Sequence, residues 1–117
     1  MLKVNEIIAP LQAEVLAAGE MEAELTGGYC GDLLSDVMGN AHDGSVWITI
    51  QSHPNVIAVA TLVGIPCVVI TNWAEVENDT LERARAEKIT VIRTHFTSYQ
   101  AVSVLSGLGI PGTKRDG

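Results

Sequence analysis

The sequence predicts an α/β fold, a layered sandwich with a mainly parallel central sheet. Three observations predict it. The second half alternates strand-like and helix-like segments three times, with strands expected at 45–51, 67–71 and 90–94. Alternating units of this kind form a parallel sheet through right-handed crossovers. The run Cys67-Val68-Val69-Ile70-Thr71 is almost wholly apolar, as a strand buried on both faces must be. Finally, 47% of the 117 residues are hydrophobic but only 4% are aromatic, so the core is built from Val, Ile, Leu and Ala.

The elements follow in order. Val4, Ile7, Ile8 and Leu11 share one face of a short amphipathic helix near the amino terminus. Residues 13–17 read as a strand ended by Gly19, and 22–26 as a second short strand. A glycine-rich turn at Thr26-Gly27-Gly28 then leads into a helix over 32–41, with Leu33, Leu34, Val37 and Met38 facing inward. His42-Asp43-Gly44 closes that helix, glycine being the usual terminating residue. After the strand at 45–51, Pro54 sits in the first turn of a helix that runs to Leu62, a position where proline is tolerated. Gly64-Ile65-Pro66 turns the chain into the central strand, and 72–76 reads as a loop. The helix capped by Asp79 or Thr80 carries acidic residues early and basic ones late, as the helix dipole prefers. Ser98 is expected to cap a last helix over 99–108. Residues 1–110 thus form one domain, and 111–117 read as a flexible polar tail.

Composition excludes some functions. A net charge of −7 with scattered Lys and Arg argues against nucleic acid, whose phosphates need a basic surface. The longest apolar run, residues 56–63, is far short of the roughly 20 residues that span a bilayer. The first residues lack a signal peptide's apolar core, so a cytoplasmic location is expected, with no membrane association. Cys30 and Cys67 form no metal-type or redox-type pair. No cofactor motif is present: no Gly-Lys-Ser or Gly-Lys-Thr completes a phosphate loop, and the glycine spacing does not match a dinucleotide fingerprint.

Ligands of parallel sheets sit at the carboxyl ends of the strands. Here those ends carry Thr49, Gln51, His53, Thr71, Asn72, Trp73, Thr94 and His95. Thr26, Gly27 and Gly28 are expected to converge with them, because free N–H groups after such a turn receive an anion or a carbonyl oxygen. The turn has an equally simple reading as a tight delivery of chain into a helix. His53 is a ligand contact or a loop histidine with structural bonds, and Trp73 a stacking platform or a packed loop residue. Asp32 and Asp36 lie one helical turn apart, and read either as a solvated face or as a weak metal pair. Cys30 stands near a helix start, where a thiol pKa can fall, but has no cationic neighbour in sequence. No nucleophile–base pair assembles, so no catalytic residue is assigned.

Thr26-Gly27-Gly28, followed by Asp32-Leu33-Leu34-Ser35-Asp36-Val37-Met38, resembles the DRTGG domain family. The segment from Trp47 to Asn55 fits stand-alone members, and the resemblance runs from about Val4 to Ile110. The family motif begins with Asp-Arg, and Glu22-Ala23 stand near that place. Asn72-Trp73-Ala74 replace a second glycine turn. The resemblance implies a fold similar to the amino-terminal domain of HPr kinase/phosphorylase without its kinase loop. It also implies a dimerising regulatory module, like those beside CBS domains in regulated pyrophosphatases. The expected function is therefore a non-enzymatic sensor: a homodimer binding a small, nucleotide-type ligand through Thr26, Gly27, Gly28, Thr49, Gln51, His53 and Thr71. A second expectation is an assembly module docking on a partner enzyme, iron–sulfur or hydrogenase related, with no small-molecule site. A third is a metal-dependent enzyme using Asp32 and Asp36.

Overall fold

In the computed structural model, which describes residues 1–115, the chain forms a five-stranded sheet of order β1-β5-β4-β3-β2. The strands are β1 (Glu14–Ala17), β2 (Gly27–Cys30), β3 (Ser45–Thr49), β4 (Cys67–Ile70) and β5 (Thr90–Arg93). The helices are α1 (Leu34–Asn40), α2 (Asn55–Val63), α3 (Asn78–Ala86) and α4 (Ser98–Gly107). β2 to β5 are mutually parallel, and β1 closes the far edge antiparallel to β5. The α/β layered sandwich with a mainly parallel sheet is thus the observed architecture.

Topology decides which face each helix covers. From β2 to β5 the chain steps across the sheet in one direction, so right-handed crossovers place α1, α2 and α3 on the same face. There they bury Trp47, Val68, Ile70 and Val91 against Val37, Val56, Ile57, Ala60 and Ala84. The opposite face needs a different cover. It is supplied by α4, which follows the last strand, and by the amino-terminal segment with its 3-10 turn at Val4–Glu6. Val4, Ile7, Leu11, Ala101 and Leu105 pack there on Val46, Ile48, Cys67, Val69 and Ile92. Each fully buried aliphatic side chain contributes about 2 kcal/mol. Trp47, the largest buried residue, has its indole N–H satisfied by the Gly31 carbonyl at 2.8 Å.

Several boundaries differ from expectation. Residues 22–26 do not join the sheet. They pair with the amino-terminal segment instead, through Val4 N–H to Ala23 O, Leu25 N–H to Leu2 O and an antiparallel bridge between Lys3 and Glu24. The predicted glycine turn is itself strand β2, in parallel register with β3 from Gly27 opposite Ser45 to Cys30 opposite Ile48. α1 begins at Leu34 rather than at Asp32, because the Asp32 carboxylate accepts bonds from β3 and does not cap the helix. α4 is capped by Thr97, whose hydroxyl accepts from Gln100 N–H while Gln100 Oε1 accepts from Thr97 N–H. Ser98 is the first helical residue. Gly64 ends α2 with φ of 90°, as the sequence suggested.

Residues 111–115, the greater part of the predicted tail, run beside β2 as a strap. Gly28 N–H donates to Pro111 O at 2.9 Å, and Arg115 Nη2 donates to the carbonyls of Met38 and Gly39 at the end of α1. Positions 116 and 117 of that tail lie outside the described residues.

Candidate functional site

At the carboxyl edge the parallel strands end in three fully buried threonines, Thr49, Thr71 and Thr94. A buried hydroxyl is tolerated only when bonded, and each of these is. Thr49 Oγ1 donates to Asp32 Oδ1 at 2.8 Å, Thr71 Oγ1 shares a 3.0 Å bond with Ser98 Oγ, and Thr94 Oγ1 donates to Leu11 O at 2.7 Å. Thr49 and Thr94 also accept the N–H two residues on, from Gln51 and Phe96, which fixes the start of each loop.

The pleat sends these groups to opposite faces. Thr49 lies with Trp47 on the α1–α3 side, where Asp32 also accepts Ile50 N–H at 2.9 Å. Thr71 alternates with Ile70 to the α4 side and meets Ser98 at the start of α4. Cys30, at the end of β2, is on that side too. Partial burial and the nearby Asp32 charge raise its thiol pKa against a lowering bond from Ser98, so the group is held protonated. The depressed thiol pKa that a helix start can produce is not found here.

Where the connections leaving β4 and β5 part to opposite faces, doubly wound sheets commonly open a ligand crevice. In this protein that place is closed. Asn72 N–H donates to Phe96 O and Trp73 N–H to Thr94 O, both at 2.9 Å. The Trp73 indole stacks on His95 with ring centroids 3.9 Å apart and 4° between planes. The Arg93 guanidinium lies 4.0 Å from the Trp73 ring centre, a distance at which cation–π attraction is strong. Asn72 and Trp73 both have positive φ, 57° and 51°, an unusual conformation for a bulky residue that the stack and the two bonds hold in place.

At the β2 edge of the sheet, on the α4 face, an apolar groove of about 250 Å³ runs between α4, β2 and the strap. Gly28, Cys30, Ile48, Val102, Leu105 and Pro111 line it. Gly28 has no side chain to fill the floor, and Val102 forms a partly exposed wall.

The expected convergence of seven residues does not occur. Parallel register puts Thr26 and Gly27 at the amino ends of the strands, beside Ser45, and Thr49 and Thr71 at the other end of the sheet. Thr26 is tied to the loop before β3, its N–H to Gly44 O and its hydroxyl to Asp43 O. A Cβ on Gly27 would fall 2.7 Å from Thr113 Cγ2, so this glycine makes room for the strap. Gly28 gives its N–H to Pro111 rather than leaving it free for an anion. Gln51 and His53 are exposed at the carboxyl edge, and His53 Nδ1 accepts the Asn55 N–H at the start of α2.

Asp32 and Asp36 are not one helical turn apart, since Asp32 precedes α1. Asp36 Oδ2 accepts the Tyr29 hydroxyl at 2.7 Å, and Oδ1 accepts from Asn40. That carboxylate partner raises the Tyr29 pKa. Among the described residues no group of three or more His, Cys, Asp or Glu stands close enough to hold a metal ion. No helix among them is long and apolar enough to cross a membrane. Sequence reasoning passed over Cys30 and Ser98 as site residues. The available signal was the position of Ser98 just after the last strand, in a helix that must return over the uncovered face.

The chain belongs to the DRTGG domain family, whose profile matches residues 6–108. The two residues directly before Thr26 are Glu24 and Leu25, not Glu22 and Ala23, and Leu25 is buried in the core where the family motif has arginine. The fold is similar to the crystal structure of the CBS and DRTGG domains of the regulatory region of Clostridium perfringens pyrophosphatase, complexed with its activator diadenosine tetraphosphate. The TM-score is 0.71 at 16% identity, over 88% of this chain and 45% of that one. The chain therefore spans less than half the length of that structure. No curated protein matches the sequence.

Proposed function

We propose that this domain is a non-enzymatic regulatory module that binds a small, nucleotide-type ligand at the carboxyl edge of its sheet and acts as a homodimer. The observation that carries the reading is the concentration of polar groups at that edge on both sides of the sheet: Thr49 with Asp32 and Gln51 on one face, and Thr71 with Ser98 on the other, where Cys30 also lines a preformed groove. The similar pyrophosphatase regulatory region was solved with a dinucleoside polyphosphate activator, which favours a nucleotide over other small ligands. The side chains at this edge order ligands without supplying a nucleophile–base pair, which is what regulation requires and catalysis does not. Exposed Leu33 and Tyr99 flank the same edge and suit self-association there.

Thermal unfolding in the presence of AMP, ATP and diadenosine tetraphosphate tests the ligand class. A ligand that binds the native state at one hundred times its Kd adds about 2.7 kcal/mol and raises Tm by several degrees. No shift with any of the three at millimolar concentration overturns the nucleotide reading. Light scattering tests the homodimer, and a monomer mass at 100 µM, roughly the upper end of working concentrations, overturns that part.

A further inference from the structure

β2 is the edge strand, and its backbone alternates. Tyr29 and Gly31 face β3, as the Gly31 N–H to Ile48 O bond of 3.1 Å records. Gly28 and Cys30 face outward. The strap pairs with Gly28 on both sides, Gly28 N–H to Pro111 O and Thr113 N–H to Gly28 O, and then turns away to the end of α1. Among the described residues no hydrogen bond takes up the outward N–H and C=O of Cys30. Among the described residues, then, an unpaired donor and acceptor stand side by side at the mouth of the groove that Ile48, Val102 and Leu105 line.

We propose that the mouth of this groove is a nucleobase site, in which a purine is held edge-on by the outward Cys30 backbone with one face against Val102 of α4. The proposal rests on the nucleotide reading above and names its recognition element. An adenine presents an exocyclic N–H donor beside a ring-nitrogen acceptor, the complement of one outward strand residue. The groove volume of about 250 Å³ is smaller than drug-sized pockets of roughly 300–1,000 Å³ and suits a fragment the size of a base. The absence of a side chain at Gly28 lets a flat ring approach the strand. The sugar and phosphate leave past Cys30 toward Ser98 at the start of α4. The thiol takes no part, since the backbone does the reading.

Amide shift mapping of the full chain titrated with AMP tests this, with N6,N6-dimethyl-AMP as the control that removes the donor and leaves the Cys30 carbonyl unpaired. The expected result is movement of the Gly28, Cys30, Val102 and Ser106 amides, with the dimethyl analogue roughly tenfold weaker. Val102→Arg, at an exposed helical position, fills the groove and removes binding. Should that variant unfold, the wild-type comparison of the two nucleotides still decides. AMP binding with shifts confined to Asn72, Trp73 and His95, or equal affinity for both nucleotides, overturns the base site but leaves the nucleotide reading standing. No binding of AMP, ATP or diadenosine tetraphosphate overturns both.

Discussion

The two ends of the parallel strands are built from different materials. At the amino end the seal is made by glycines that let neighbouring chain pack closely. Gly19 lies against the Lys88–Ile89 main chain, Gly27 under the strap, and Gly44 against Thr26. Thr90 Oγ1 accepts the Gly19 N–H at 2.9 Å, and Cys67 begins β4 there without exposure. At the carboxyl end the seal is made by side-chain hydroxyls, those of Thr49, Thr71, Thr94 and Ser98, with Asp32. A glycine held this close to its neighbour leaves no room for a side chain or a ligand. A hydroxyl bonded to another hydroxyl can trade that partner for a ligand or water at small cost. Gly27 of the family motif thus belongs to the closely packed end, and the exchangeable hydroxyls to the other.

The sharpest way to break this contrast is Gly19→Ala. Its Cβ would overlap the Lys88 and Ile89 main chain, which has no side-chain freedom to yield. A loss of roughly 3 kcal/mol is expected in urea unfolding, and a loss under half a kilocalorie would show that the amino end is not closely packed. Burial at the same end has a titration signature. The Cys67 thiol, fully enclosed, is pushed up from 9.0 to about 12. Between those values the unfolded chain has lost the proton and the folded chain keeps it. Stability therefore falls as pH rises above 9, by about 1.4 kcal/mol per unit. The raised Tyr29 pKa adds a fall of the same sign. Cys67→Ala should flatten the alkaline limb, and an unchanged slope from pH 9 to 11, a window of roughly two units, would mean that water reaches this thiol.

Smaller effects are expected at the carboxyl end. Thr71→Val removes the bond to Ser98 while preserving shape, and should lower stability by about 1 kcal/mol. It should weaken nucleotide binding more than that stability change would suggest. Equal affinity in calorimetric titration would remove Thr71 from the site. Gly28→Ala sharpens the contrast within β2 itself. Its Cβ finds only ordinary contacts, with Ile110 Cγ2 at 3.5 Å, so a change of under about 0.5 kcal/mol is expected against a larger loss for Gly27→Ala, whose Cβ meets Thr113. Similar losses for both would contradict the placement of the strap.

Much of this architecture is local in origin, and the sequence by itself determined it. The apolar run at Cys67, the β-branched runs at Ser45 and Thr90, and the helical patterns between them read directly, because periods of two and 3.6 residues are properties of neighbouring positions. Gly64 marked the end of α2 because a left-handed residue there is a local need. The parallel sheet and the polar character of the carboxyl edge followed from that alternation. Only the tertiary structure decided what Thr26-Gly27-Gly28 does. Whether glycines form a turn or an edge strand depends on what packs beside them, and here that is Pro111–Thr113, far along the chain. The same holds for Asp32, which left its helix for Thr49, and for Cys30 and Ser98, which meet only after α4 folds back over the sheet. Pleat and register then divided Thr49 from Thr71 across the sheet, a separation fixed by strand pairing that no run of neighbouring residues encodes.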